Sequence, residues 1–229
     1  MGPAVTGPAS PLPGETLDRH DGRWRVADHG AQVLAWQPLD GDARPVLWYD
    51  PSDPQELPGV IRGGIPICAP WFGHGPGDDL EPHHGRARLC DFGREVLLDG
   101  PRFLLVRHTV EPEDLGAPFR LAHTVEMTGS SMTLNLEVTC TGTEPRPFEA
   151  VWHTYFRVGD AARARVEGVG GAAWRNHATG MSGTFTSDLT GRAWRDLVCL
   201  ETGAAKENAL LLEPGQDTSL HMRVGTGTL

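Results

Sequence analysis

The sequence predicts an all-β protein, an antiparallel β-sandwich. Three observations carry that expectation. Apolar residues recur at every second position through the middle of the chain. Glycine (29) and proline (19) make up about a fifth of it and are scattered rather than repeated, as turns between short strands require. No stretch keeps a helical period with caps at its ends.

In chain order, residues 1–15 (MGPAVTGPASPLPGE) have no periodic apolar pattern and read as a flexible lead-in. Residues 16–229 read as a single β-sandwich domain, with neither a repeat nor a linker inside it. Residues 24–26, 33–36 and 46–48 are short strand-like runs, and the Asp40-Gly41-Asp42 turn predicts a hairpin between the last two. Residues 103–108 (FLLVRH) form a strongly apolar run. Phe119, Leu121, His123 and Val125 then alternate, as do Met132, Leu134, Leu136 and Val138, with Thr128-Gly129-Ser130 as the turn between them. Both patterns are of period two, which predicts paired strands with one buried face. Residues 194–200 and 210–212 read as late strands, while the Ala-rich stretch 160–164 is too short for a helix.

Bulk composition excludes several classes. A chain of 229 residues buries roughly 70% of its unfolded surface and needs no metal or disulfide staple. The net charge of −10 argues against nucleic acid as a partner, and it means that an anionic substrate needs arginines placed locally. Cys68, Cys90, Cys140 and Cys199 lack CxxC spacing and read as reduced thiols of a cytoplasmic protein. The N-terminus shows no basic region followed by an apolar one, and no apolar run approaches a membrane span, so neither secretion nor a membrane is expected.

Several features have plain structural explanations. His123, on the apolar face of its run, reads as a core histidine satisfied by a backbone carbonyl. Gly63 and Gly64 read as a demand of backbone geometry. The Asp78, Asp79, Glu81, His83 cluster lacks ligand spacing and reads as an exposed loop rather than a metal site. Gly73, Gly75 and Gly77 do not lie between a strand and a helix, so dinucleotide binding is unsupported.

Three segments carry chemistry: residues 61–73 (IRGGIPICAPWFG), 84–88 (HGRAR) and 152–160 (WHTYFRVGD), the last followed by 197–202 (LVCLET). In this order, and with the upstream runs 30–38 (GAQVLAWQP) and 46–51 (VLWYDP), the chain resembles the hexose-6-phosphate mutarotases, or glucose-6-phosphate 1-epimerases, of the aldose 1-epimerase superfamily. The resemblance runs from about residue 22 to 224 and implies a galactose mutarotase-like supersandwich, here shortened. It also implies a cofactor-free isomerase acting on a small-molecule sugar phosphate, as a cytoplasmic monomer. By matching, His153 is the general acid on the ring oxygen and Glu201 the general base on the anomeric hydroxyl. His84 is implied to hydrogen-bond the sugar, and Arg62, Arg86 and Arg88 are the phosphate candidates, Arg86 at a position that varies in the motif.

The chemistry asks for such a pair. Opening a cyclic hemiacetal removes a proton from one oxygen and delivers one to the other. A histidine with an ordinary pKa of about 6.5 exchanges protons near neutrality, and a carboxylate beside it accepts the hydroxyl proton. Guanidinium groups suit phosphate because they bind its oxygens in a planar fork. The pattern departs from the family in one place. His153 and Glu201 are 48 positions apart, where family members carry a longer segment with a further sugar-binding aspartate and a Trp-Asn-Pro run. Asp188 is a candidate stand-in for that aspartate, though nothing around it matches, and the alternative function is a noncatalytic carbohydrate-phosphate binding or regulatory protein on the same fold.

Overall fold

The computed structural model describes residues 15–40, 43–49, 59–164 and 196–227. Strands β1 (Thr16–Arg19), β2 (Trp24–Ala27) and β3 (Val33–Trp36) form a meander. After the two-residue β4 (Ile67–Cys68) come β5 (Gly93–Gly100), β6 (Phe103–Val110), β7 (Phe119–Thr128) and β8 (Ser131–Cys140). The chain continues with β9 (Arg146–Phe148), β10 (Ala150–Arg157), β11 (Leu197–Ala204), β12 (Leu210–Leu212) and β13 (Asp217–Gly225). The only α-helix among the described residues is one turn, α1 (Pro112–Leu115).

The largest sheet is antiparallel, in the order β13-β8-β7-β6-β5. Its register follows from the alternation in the sequence: β7 and β8 pair from Phe119 with Cys140 to Met127 with Met132, turning at Gly129 and Ser130. Leu121, Val125, Met127, Leu134, Leu136 and Val138 all face inward and are fully or almost fully buried. A slip of one residue would turn this whole set to solvent. The β6 run, whose alternation is hard to read in the sequence, obeys the same rule, with Leu104, Val106 and His108 inside.

Against this face pack Trp24, Val26, Val33 and Trp36 of the first meander, and Phe148 and Trp152 around β10, in one continuous core. Strand β10 lies between β11 and β4 in a small second sheet. Its side chains alternate: Trp152 and Thr154 point into the core, where the Thr154 hydroxyl lies 3.9 Å from the Met222 sulfur, and His153 and Tyr155 occupy the opposite face.

The structure alters some expectations. Residues 46–48 do not form a hairpin with β3. They lie along β10 instead, with Leu47 bridging Phe156 and the Trp48 amide donating to the Tyr155 carbonyl, while one bond from the Val46 amide to the Trp36 carbonyl remains. A long-range partner thus outcompetes the local turn. The late strand begins at Leu197, and the expected residues 194 and 195 lie outside the described ones, as do residues 1–14, 41 and 42. The stretch 160–164 is a single 3-10 turn, capped by the Asp160 carboxylate accepting from the Ala162 amide.

Candidate active site

Antiparallel pairing of β10 with β11 sets His153 directly opposite Glu201 and Tyr155 opposite Cys199. Cys68 of β4 lies opposite Val151, on the same face of β10. Because side chains alternate, these residues share the side of the small sheet turned away from the core. Nε2 of His153 is 3.0 Å from Oε1 of Glu201, and the ring stacks on Tyr155 with centroids 4.8 Å apart. Burial alone would push the His153 pKa down. Contacts with Cys199 and Glu201 across the strand outweigh it and raise the pKa to about 9. Nδ1 has no hydrogen-bond partner of ordinary geometry, so the thiol contributes as a loose contact rather than a formed bond. Around neutrality this histidine holds its proton and faces a carboxylate.

His84 enters from the loop after β4. Gly85 places it there: a parallel bridge brings Gly85 against Ala69, its φ is +75°, and a Cβ would stand 2.2 Å from the Ala69 carbonyl oxygen. Only glycine permits this approach. The His84 ring lies 5.9 Å from that of His153, edge-on, and 4.7 Å from Phe72. The Gly73 amide donates to Nδ1 at 3.0 Å, so in the neutral ring the proton is on Nε2, which is left as a donor. Burial, together with the positive charges of His83, Arg88, His153 and His74, lowers its pKa to about 3. The two histidines therefore differ in charge: His153 carries a transferable proton, and His84 is a fixed neutral donor.

The arginines separate. Arg88 runs under the cluster, half-buried, donating to the His83 carbonyl at 2.6 Å, with its Nε buried and unpartnered and its charge acting on Cys68 and Tyr155. Arg62 is exposed, and its charge is likewise felt at Tyr155. Arg86 points elsewhere. Its guanidinium lies against Gly116 at the end of α1, and the 3-10 turn that follows it carries Arg88 alone back toward the histidines. Asp188 lies outside the described residues.

Sequence reasoning passed over Tyr155, Cys199, His83, His74 and Lys206. The period-two rule could have found the first two, at i+2 from His153 and i−2 from Glu201. His83 was in view only as part of an exposed loop, while nothing in the sequence singles out His74 or ties Lys206 to residue 73. His123 is as expected: fully buried, its Nδ1 3.1 Å from the Ala31 carbonyl. Gly63 and Gly64, at φ +96° and +62°, lie against the Trp48 and Val33 carbonyls with no room for a side chain. No group of three or more His, Cys, Asp or Glu able to hold a metal ion occurs among the described residues.

Comparison with known proteins bears on family and fold. The family model described as "Aldose 1-epimerase" matches residues 16–179, well over half of the chain. A protein of Salmonella typhimurium named "Putative glucose-6-phosphate 1-epimerase" is 29% identical over 152 residues, covering 62% of this chain and 47% of that protein. A protein of the same name from Cenchrus ciliaris is 33% identical over 156 residues, covering 62% and 45%. The chain thus spans about half the length of the curated relatives it matches. In fold, it is similar to the crystal structure of a "putative mutarotase" from Salmonella typhimurium, with a TM-score of 0.72 at 18% identity over 87% of this chain and 85% of that one.

Proposed function

The chain belongs to the aldose 1-epimerase family, and from that premise we propose that it interconverts the α and β anomers of a hexose 6-phosphate by acid–base opening and closing of the sugar ring, without a cofactor. The observation that carries the proposal is the opposed pair His153 and Glu201, 3.0 Å apart, with the imidazole held protonated up to a pKa of about 9. The free protein thereby already holds the proton that the first step delivers, since the carboxylate favours the charged imidazole.

The sugar enters between the two groups, its ring oxygen toward His153 and its anomeric hydroxyl toward Glu201. Glu201 takes the hydroxyl proton while His153 delivers its proton to the ring oxygen. The bond from C1 to the ring oxygen breaks and a carbonyl forms at C1. Rotation about the C1–C2 bond presents the other face. The C5 hydroxyl then adds to C1, returning its proton to His153, and Glu201 gives its proton to the carbonyl oxygen. Protons balance over the cycle and no covalent intermediate is needed. His84 donates from Nε2 to a sugar oxygen, and Arg88, with Arg62, faces the phosphate.

Saturation-transfer NMR on glucose 6-phosphate measures anomer exchange directly. His153→Ala and Glu201→Gln each lower the accelerated rate by on the order of 10²–10⁴-fold, and the double variant is little worse than either single one because the two act as a unit. A wild-type protein that binds the phosphosugar without accelerating exchange would instead be the noncatalytic binding protein. The short spacing between the two residues, 48 positions, is the feature that favours that second reading.

A further inference from the structure

Across the core from the histidine pair, the five-stranded sheet presents its outer face to solvent. Alternation sends Arg120 and Ala122 of β7, Glu137 and Thr139 of β8, and Asp217 and Ser219 of β13 to this side. The register then lines them up in two rows across the strands. Arg120, Thr139 and Asp217 form one row, and Ala122, Glu137 and Ser219 form the next. Ala122 makes the hollow. It is a bare methyl among longer side chains, only 3% exposed, and it is no part of the continuous core. It is covered from the solvent side, where Arg107 of β6 reaches across β7 to pair with Glu137 on β8. Between this bridge and the Arg120 row lies a cleft of about 440 Å³ with Ala122 in its lining, a volume in the range of small-molecule sites. Its polar groups are already tied down. Arg107 is held by Glu137, Arg120 by Glu111 at 2.9 Å, and the Thr139 hydroxyl donates to Asp217 at 2.5 Å.

We infer that this cleft binds one uncharged sugar ring, free or as a unit of a longer chain, at a site separate from the histidine pair. The charges in its lining decide the class of ligand. Two arginines face two carboxylates, so they balance. An anion, a phosphosugar included, meets Glu137 and Asp217, and a cation meets Arg107 and Arg120. An apolar ligand would strip water from these groups and return no hydrogen bond. A hydroxyl suits both signs, because it donates to a carboxylate while it accepts from a guanidinium. Hydrogen bonds to ionised partners are also the stronger kind. Neighbouring rows of one sheet face stand roughly 7 Å apart, so hydroxyls on opposite sides of a sugar ring find separate partners. The acids and arginines hold one another in place before the ligand arrives, which leaves little to be ordered on binding. Nothing here depends on the mutarotase reading, since neither His153 nor Glu201 takes part.

The experiment uses the full chain, with glucose and maltotriose as neutral probes, inorganic phosphate as the charged one, and Ala122→Leu and Asp217→Asn as variants. NMR follows the backbone amides of Ala122, Glu137 and Thr139 and the side-chain Nε–H of Arg107 and Arg120, while the signals of β10 report the histidine cleft separately. In the wild type the sugars shift the outer-face signals saturably, with dissociation constants on the order of millimolar, and phosphate does not. Ala122→Leu fills the hollow and abolishes the shift. Asp217→Asn keeps the shape, loses the charge, and weakens binding by about tenfold. Neither variant alters anomer exchange of glucose 6-phosphate. Should Ala122→Leu fail to fold, judged by circular dichroism and the urea midpoint, Asp217→Asn decides alone. Binding of maltotriose without glucose supports the site and assigns it to a unit of a chain. Saturable shifts in a protein that does not accelerate exchange support the site while the mutarotase reading falls. The site is overturned if neither sugar gives a saturable shift on this face, if phosphate moves these signals more than the sugars do, if folded Ala122→Leu still binds, or if Asp217→Asn binds as tightly as the wild type.

Discussion

His123, fully buried, and His153, half-buried, lie on either side of one strand, and they end in opposite states. His123 lies on the core side of β10. The Trp152 indole, which can only donate, points at its Nε2 from 3.3 Å, so its own proton sits on Nδ1 against the Ala31 carbonyl. Burial holds its pKa down to about 4. His153, the next residue along from Trp152, faces the cleft, and the Cys199 and Glu201 contacts hold its pKa up to about 9. Burial pushes both down, so burial does not distinguish them. The partner does: an indole donor takes up one nitrogen of His123 and leaves burial to hold the ring neutral against the opposing pull of the Ala31 carbonyl, whereas a carboxylate holds His153 charged. Adjacent residues of a strand point to opposite faces, which lets one strand carry a structural motif and a reactive one side by side.

The largest effects should separate these faces. Trp152→Ala removes a core side chain of 1% exposure and leaves His123 Nε2 without its donor. It should cost about 3–5 kcal/mol of stability, read as a fall in the urea midpoint. His153→Ala, compared above pH 9 where the charge contribution of the pair is gone, should change stability by no more than about 1 kcal/mol, while removing the accelerated exchange at neutral pH. Comparable stability losses from both would break the division between a core face and a reactive face.

A smaller effect sharpens the charge contrast. In Glu201→Gln the imidazole of His153 loses its carboxylate, and its titration midpoint, followed by NMR, should fall by about one to three pH units. The His123 midpoint should not move. Cys199→Ala should lower the His153 midpoint too, by less, because the thiol makes no formed hydrogen bond to it. A midpoint for His153 that stays near 9 in Glu201→Gln would show that another group sets its charge.

These contrasts also explain what could be read before the structure. Strands β7 and β8 are legible because their alternation and their turn agree, whereas the pairing of β10 with β11 is not, because it joins His153 to Glu201 across 48 positions. The segment 46–48 was misassigned because a tight turn is a local signal, whereas its pairing with Phe156 is more than a hundred positions away. The same limit divides the site. His84, His153 and Glu201 sit in recognisable motifs, and the structure brings them together. Arg86, two positions from Arg88 in the same motif, faces α1 because the 3-10 turn between them breaks the strand period. Lys206 was invisible because its place depends on the buried Glu149, 57 positions away, which accepts from its amide.

The most gradual effect is the pH dependence of stability, and it begins with the same pair of histidines. His123 has a folded pKa of about 4 against about 6.5 unfolded. Between those values the unfolded chain binds a proton that the folded one refuses, so stability rises with pH across that window. His84 and His108, each near 3, add to the same slope. His153 acts the other way. Its folded pKa, about 9, lies above the unfolded value, so its contribution is complete below about pH 6.5 and is lost as pH rises through 9. No single group can contribute a slope above about 1.4 kcal/mol per pH unit. The urea midpoint, measured from pH 4 to 10, should therefore crest near neutrality, with the acid side steeper because three histidines act there against one. His153→Gln should flatten the alkaline decline and leave the acid limb in place. Anomer exchange in the wild type should fall over the same alkaline range, as the acid loses its proton. If His153→Gln left the alkaline limb unchanged, the raised pKa would not be a property of the folded pair, and the proton needed for ring opening would have to come from elsewhere.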